Sequence, residues 1–516
     1  MSSKPGPVIH FVVSTGTEKA DPELRKFIRS HVMQGKNKGK KLPSRKRKPT
    51  AATATSPAAA TTASQGQTGS AVAPLSSRGG GLMPVVAPPH QQKPGEQLFD
   101  ITVTLQRNRL SSASCMSYAD KNIEPYAVEV VFQFSIIAKS VLFPLESCIY
   151  FEHRAEQWTG PLGCDDAFLH ALIFSAQCFF DAQASASGVL FVRSPSRKAL
   201  PHLIKAIEIL RERFAEGGDE EARKSLTTVS TITSLAALAH ASGDEASARN
   251  HLEGLYKIVE MRGGMDSFAE SDKLLVEILR TDLGIALFQG TRTRFFSDKE
   301  TQPLVELPDL CGLVPSGMMA VNKVPKGVNG ELVGIWKVLR DFTAVVNYAT
   351  GARKLISMRM YGDSMSSTMY RLLDMEWEFG RDETSSPLDE VVRLGLLAYS
   401  AHVFLQWKRM THCKAGPYRH LAGQLRKALQ GMRKDVQPEL RLWLIMVAAV
   451  GALDVSGQDQ VWLGEALRNS MRLCGLKEWG EVRTVLEEVM WIGLVYDEPG
   501  KRMLQGLAMR TIAFTV

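Results

Sequence analysis

Residues 201–218, PHLIKAIEILRERFAEGG, decide how the rest of the chain is read. Leu203, Ile207, Leu210 and Phe214 recur at steps of four, three and four, the spacing that gathers side chains on one face of an α-helix. Pro201 suits a first helical turn, where a missing N–H costs nothing, and Gly217 suits a stop. The same design returns at 244–264, DEASARNHLEGLYKIVEMRGG, with Leu252, Leu255 and Val259 on one side and a closing glycine pair. It returns again at 271–290, SDKLLVEILRTDLGIALFQG, capped by Ser271 or Asp272 and ended near Gly290. Helical spacing predicts further helices over 222–241, 331–357, 365–378, 387–410, 417–433, 438–453, 458–474 and 478–495. Alternation of apolar and polar residues is confined to LFDITVTLQ at 98–106, which reads as one strand or an extended packing segment. The expected fold is therefore all-α, with antiparallel helix pairs stacked around one core in a single large domain over 98–516. No fixed period runs through it, which argues against a regular repeat protein.

Upstream of that body the composition changes twice. Residues 50–97 are Ala, Thr, Ser, Gly, Pro and Gln with almost no charge and few large apolar side chains. Such a segment buries too little surface to offset its ordering entropy and reads as a disordered linker. Residues 1–49 form a basic arm. Residues 1–50 hold thirteen Lys/Arg against three Asp/Glu, a net of +10, and residues 51–100 hold two of each. Of the 62 basic and 54 acidic side chains in the 516-residue chain, 47 and 49 remain for residues 101–516, a net of −2. The chain's net +8 belongs to the arm, so attraction to polyanions is expected to act there and not on a charged face of the body.

Seven cysteines at 115, 148, 164, 178, 311, 413 and 474 form no CxxC pair, a reducing-compartment pattern without a disulfide framework. VIHFVV at 8–13 is too short for the apolar core of a secretory signal. The longest apolar run, LWLIMVAAVGAL at 442–453, falls short of the roughly 18 to 20 residues a bilayer requires and reads as a buried helix. No membrane span is expected.

The chemistry-bearing motifs point away from an enzyme. HExxH, a Walker A loop, GxSxG and a strand-borne GxGxxG are all missing, and no cofactor is expected. The densest ligand-like set, His402, His412, Cys413 and His420, has a spacing that fits no ordinary zinc pattern, so packing or surface roles are expected. Asp282 sits inside a helix that leads into TRTRFF, where pairing with Arg292 or Arg294 would fix the turn, a structural role. Trp443, Trp462, Trp479 and Trp491 punctuate the last helices and read as core.

The arm carries the function-bearing pattern. ADPELRKFIRSHVMQG at 20–35 has Asp21 as an N-cap, Pro22 at the first helical position and Gly35 as terminator. At 100° per residue Leu24, Phe27, Ile28 and His31 share one side, a stripe for a partner helix or groove, while Arg25, Lys26 and Arg29 occupy another. Beyond it Lys36, Lys38, Lys40, Lys41, Arg45, Lys46, Arg47 and Lys48 place eight cations in thirteen positions without an acid. As an extended basic segment held out of helix by Pro43, KKLPSRKRK suits an import receptor. The same side chains would also neutralise DNA phosphates without sequence choice. A merely solvated tail is the third reading.

Several segments carry a family resemblance. FVVSTGTEKADPELRKFIRSHVMQGKNKGKK at 11–41 is similar to the N-terminal signature of a large group of filamentous-fungal proteins. HLEGLYKIVEMRGGM at 251–265, followed by LRTDLGIALFQGTRTRFF at 279–296, resembles the central signature of the fungal-specific transcription factor domain, a helical regulatory region. LRLWLIMVAAVGAL at 440–453 and the Trp-bearing helices after it are similar to that domain's C-terminal part. Two positions depart from the pattern. Thr293 stands where relatives commonly have Pro, and none of the seven cysteines forms the six-cysteine set of the family's binuclear zinc cluster. The resemblance implies a nuclear, transcription-associated protein with no zinc cluster and no DNA-reading residue to carry over. The helical body would bind transcriptional protein partners or a small effector, with an interaction scaffold that does not touch DNA as the alternative. Dimerisation through an apolar face of the body stays an open expectation.

Overall fold

Apolar residues at helical spacing, separated by short Gly-, Pro-, Asp- and Ser-bearing connections, leave the chain one economical way to hide its side chains, which is helix against helix. A computed structural model describes residues 123–150, 162, 164–184, 194–307, 314, 324–379, 386–406, 418–433, 435–453, 457 and 459–511. The basic arm, residues 50–97 and the 98–106 segment lie outside the described residues, as do His412 and Cys413.

The described chain opens with α1 (Pro125–Leu142) and α2 (Asp166–Ala184), followed by α3 (Leu200–Phe214), the short α4 (Glu220–Lys224), α5 (Leu226–Ala241), α6 (Glu245–Arg262) and α7 (Asp272–Gln289). The second half runs α8 (Gly330–Ala352), α9 (Met358–Phe379), α10 (Pro387–Ser400), α11 (Arg419–Gln430), α12 (Pro438–Gly451), α13 (Gln460–Leu473), α14 (Trp479–Val489) and α15 (Gly493–Thr511). The expected all-α architecture is what forms. Strand structure among the described residues is limited to β1 (Ile149–Tyr150) and β2 (Ile356–Ser357), a parallel pair that ties the segment after α1 to the start of α9.

Local chemistry sets the boundaries. Asp244 caps α6 by accepting from the Ser247 amide at 3.0 Å, and Gly263 ends it in the left-handed region at φ 101° while the Gly264 amide reaches back to the Val259 carbonyl. Gly290 closes α7 in the same way at φ 66°. Consecutive helices then lie side by side: α5 on α6, α2 on α3, α12 on α13. α7, α10 and α12 run through the middle. Residues 278–288 of α7, 391–400 of α10 and 442–451 of α12 are buried on every side. The apolar run at 442–453 is thus a core helix, and no described helix is long and apolar enough to cross a membrane. One continuous hydrophobic cluster joins all of these elements.

The four tryptophans divide. Trp443 and Trp491 are fully buried, whereas Trp462 and Trp479 pack half-buried against the core. Trp336 and Trp443 meet edge to face at 5.1 Å, a contact worth about 1 kcal/mol beyond the area it hides. On α3 the stripe is rotated from the spacing estimate. Ala206 and Leu210 face inward, and Phe214 keeps 39% of its surface in solvent at the helix end.

Candidate functional site

The site grows out of α7, the segment LRTDLGIALFQG followed by TRTRFF. Because this helix is buried all round, any polar group on it must find a protein partner. Asp282 finds three. The Arg294 amide donates to both carboxylate oxygens, at 2.9 and 3.0 Å, and the Phe295 amide donates to Oδ2 at 3.0 Å. The Tyr370 hydroxyl of α9 donates to Oδ2 at 2.9 Å. Burial pushes the carboxyl up to about 6, against the pull of the two amides and the phenol. Asp282 thus holds the turn through Arg294's main-chain amide, while the Arg294 guanidinium reaches another carboxylate. That guanidinium pairs with Glu253 on α6 and lies 6.0 Å from the Tyr256 ring centre. Phe296 stacks on Tyr370 at 5.6 Å and 9°. The loop is thereby laced to α6, α7 and α9 together. Arg292 is exposed.

Two residues earlier on α7, Arg280 serves a second buried node. Its guanidinium reaches Glu146 at 3.5 Å, donates to the Tyr361 hydroxyl at 2.8 Å and covers the Phe143 ring at 4.2 Å. The Tyr361 hydroxyl donates in turn to the Phe404 carbonyl at 2.6 Å. Phe404 belongs to a π-turn, Ala401–Leu405, that extends α10 and ends at Gln406 in the left-handed region, φ 57°. Gln406 compensates that strain with two bonds, accepting from the Leu145 amide at 3.4 Å and donating to the Val403 carbonyl at 2.8 Å. Among the described residues Glu146 Oε2 and Arg280 Nε have no hydrogen-bond partner. Burial would lower the arginine's affinity for its proton, yet Tyr361 and Glu146 outweigh it and the group is raised. Nothing in the sequence near Arg280 announces Glu146, which lies 134 residues away.

A cleft opens where α7 ends. It is a shallow depression whose floor includes Ala286, Leu373, Leu397 and Leu421. Its polar wall is Glu376 of α9, whose Oε1 lies 2.7 Å from His420 Nε2 and accepts from Gln424 Nε2 at 2.9 Å. Gly290 is required here twice, by its positive φ and because a Cβ would stand 3.0 Å from the His420 ring. Of the sequence's His/Cys set only His402 and His420 fall among the described residues, and they serve different neighbours. His402 packs on Tyr496 at 4.4 Å, with Nε2 3.2 Å from the Val495 carbonyl, so that nitrogen carries the proton. Among the described residues no three His, Cys, Asp or Glu side chains gather as a metal set. Cys148, Cys164, Cys178 and Cys474 are free thiols.

A local charge bias in the sequence from α10 to the end of α11 is hidden by the body's total. From 391 to 434 the sequence has nine Lys/Arg and no acid, inside a body whose net is −2. The signal was present as a run, and a total over 101–516 conceals it. Lys36, Lys38, Lys40, Lys41, Arg45, Lys46, Arg47 and Lys48, with Leu24, Phe27, Ile28 and His31, lie outside the described residues. No family model, curated protein or solved structure matches the chain.

Proposed function

We propose that this chain is a nuclear transcriptional regulator of the fungal-specific transcription factor domain type, without that family's zinc cluster. Its helical body binds protein partners or a small effector, and its basic arm serves nuclear import and contact to DNA phosphates. The observation that carries the reading is the arm's composition, eight cations in residues 36–48 with no acid among them. The ordered segments at 11–41, 251–265, 279–296 and 440–453 support it. So does the way the second and third of these are joined through Arg294, whose amide meets Asp282 on α7 and whose guanidinium meets Glu253 on α6.

Fusing residues 36–48 to a cytosolic reporter is expected to move it into the nucleus, and a reporter that stays in the cytosol counts against the address. The absence of six patterned cysteines favours a second reading, an interaction scaffold that reaches promoters only through a partner or not at all. Chromatin profiling of the tagged chain with and without residues 1–50 separates them. Enrichment lost on deletion supports a DNA-contacting arm, enrichment retained supports recruitment by a partner, and no enrichment in either supports the scaffold.

A further inference from the structure

We propose that the outward face of α3 is a self-association surface, on which a second copy of this chain docks with its own α3 antiparallel to the first. α3 packs on α2 and, at its end, on α4. The side it turns inward carries Ala206 and Leu210, both buried. At 100° per residue Leu200, Ile204, Ile207, Arg211 and Phe214 fall within about 80° of one another on a neighbouring side, at steps of four, three, four and three. Leu200, Ile204 and Phe214 keep 43%, 49% and 39% of their surface in solvent, and Ile207 is half-buried. Among the described residues no other helix exposes three large apolar side chains. A single exposed leucine needs no explanation, but an apolar seam repeated over about four helical turns does.

Charge selects the occupant. From Arg197 to Ile207 the exposed charges are all positive, Arg197, Lys198 and Lys205, while from Glu208 to Glu216 they are Glu208, Glu212 and Glu216 with Arg211 alone opposing them. Arg213 is turned inward and held by Asp165 at 3.0 Å. Arg197 and Lys198 stand at the start of α3, where no acid occupies the first turn and the helix dipole opposes a cation. A second α3 laid parallel would set like charge on like. Laid antiparallel about Ile207, it sets Leu200 against Phe214 of the second copy, Ile204 against the aliphatic stem of that copy's Arg211, and Lys205 beside its Glu208 and Glu212, each contact occurring twice. Lys205 lies 3.4 Å from Glu208 of its own helix and Lys198 lies 5.6 Å from the Tyr126 ring centre, both as exposed cations. An ammonium has three donors, so it keeps such a contact while turning another N–H to the partner. Acids along the seam disfavour an anionic lipid surface, which a membrane-surface helix meets with Lys and Arg. Fifteen helical residues rise about 22 Å, so this face supplies less than the about 800 Å² per partner of a standard interface, and the dimer is weak, with Kd on the order of 10 µM.

The test is sedimentation velocity of the full chain from about 1 to 100 µM, where a reversible monomer–dimer equilibrium is expected. Ile204→Glu places an acid in the seam of both copies and is expected to weaken association by more than about tenfold. Lys205→Glu alone, and Glu208→Lys with Glu212→Lys, are each expected to weaken it by about threefold to tenfold, because each turns attraction across the seam into repulsion. The three charge changes in one chain restore opposite signs across an antiparallel seam and should return the affinity to within about twofold of the parent. All four side chains are exposed, and far-ultraviolet circular dichroism confirms that the helices persist. A chain that stays monomeric to about 100 µM, a dimer that Ile204→Glu leaves intact, or a triple variant no better than the variants it combines each overturns the proposal. The surface does not depend on the nuclear reading, so failure of one leaves the other standing.

Discussion

Asp282 shows how much one buried carboxylate can organise. Replacing it by Asn turns an amide NH₂ toward donors that need an acceptor, and is expected to cost about 2–3 kcal/mol in urea unfolding. Tyr370→Phe removes one donor of three and should cost only about 1 kcal/mol. If the tyrosine variant were the more damaging, the carboxylate would not be the centre of the turn. Asp282 also opposes His240 in their response to pH. Burial raises Asp282 from 3.8 to about 6, so the folded chain holds a proton that the unfolded chain has released, and this share of stability is lost as pH rises through about 6. Burial against Phe288 lowers His240 from 6.5 to about 4, so its share is whole above 6.5 and is lost as pH falls towards 4. Each contribution is about 3 kcal/mol, with opposite sign, over nearly one window. Relative to the parent chain, His240→Leu should make stability fall more steeply from pH 4 to 6.5, and Asp282→Asn should make it climb. Denaturant midpoints at four or five pH values check this, and parallel profiles for all three proteins would refute the pairing.

Two helices come close at Gly395 of α10, where an added Cβ would lie 2.3 Å from Leu444 Cδ2 on α12. Gly395→Ala is expected to cost about 1–3 kcal/mol by overpacking, read as a drop in thermal midpoint. The opposite sign is expected at the end of α8, where exposed Arg353 is held at φ 54°. Arg353→Gly relieves that conformation and should gain about 0.5–1 kcal/mol, with Arg353→Ala as the control that gains nothing. Helices such as α6 and α7 were legible because caps and closing glycines flank their apolar spacing. α1 and α2 were not, because DAFLHALIFSAQCFFDAQA is apolar nearly all round and offers no stripe. The predicted 222–241 helix breaks at Ser225, which caps α5 through the Thr228 amide, and 478–495 divides at Met490 between α14 and α15. The Asp282 turn could be read because a carboxylate in an apolar helix demands partners nearby in sequence. The Arg280 node could not, since Glu146 and Tyr361 reach it from distant segments.

For the whole molecule the question is whether charge and fold are separable, as the sequence partition implies. Residues 50–516 keep 49 basic and 51 acidic side chains once the first 49 residues are set aside, so their near-neutrality does not depend on the arm. The helical body is closed by its own apolar cluster, from Ile123 at one end to Tyr496 at the other. Perturbations of arm and body should then dissociate in both directions. Glutamine at all eight cations of 36–48 is expected to abolish nuclear accumulation of the full chain while leaving its unfolding midpoint within error of the parent. Asp282→Asn should lower the midpoint, by a few degrees at about 2–3 kcal/mol in a body of this size, and leave accumulation of the remaining folded protein intact. Both readouts come from one pair of variants, fluorescence localisation in cells and thermal unfolding of the purified chains. A midpoint that moves with the arm substitutions would mean that those cations stabilise the body, and the separation of positive arm from neutral fold would have to be given up.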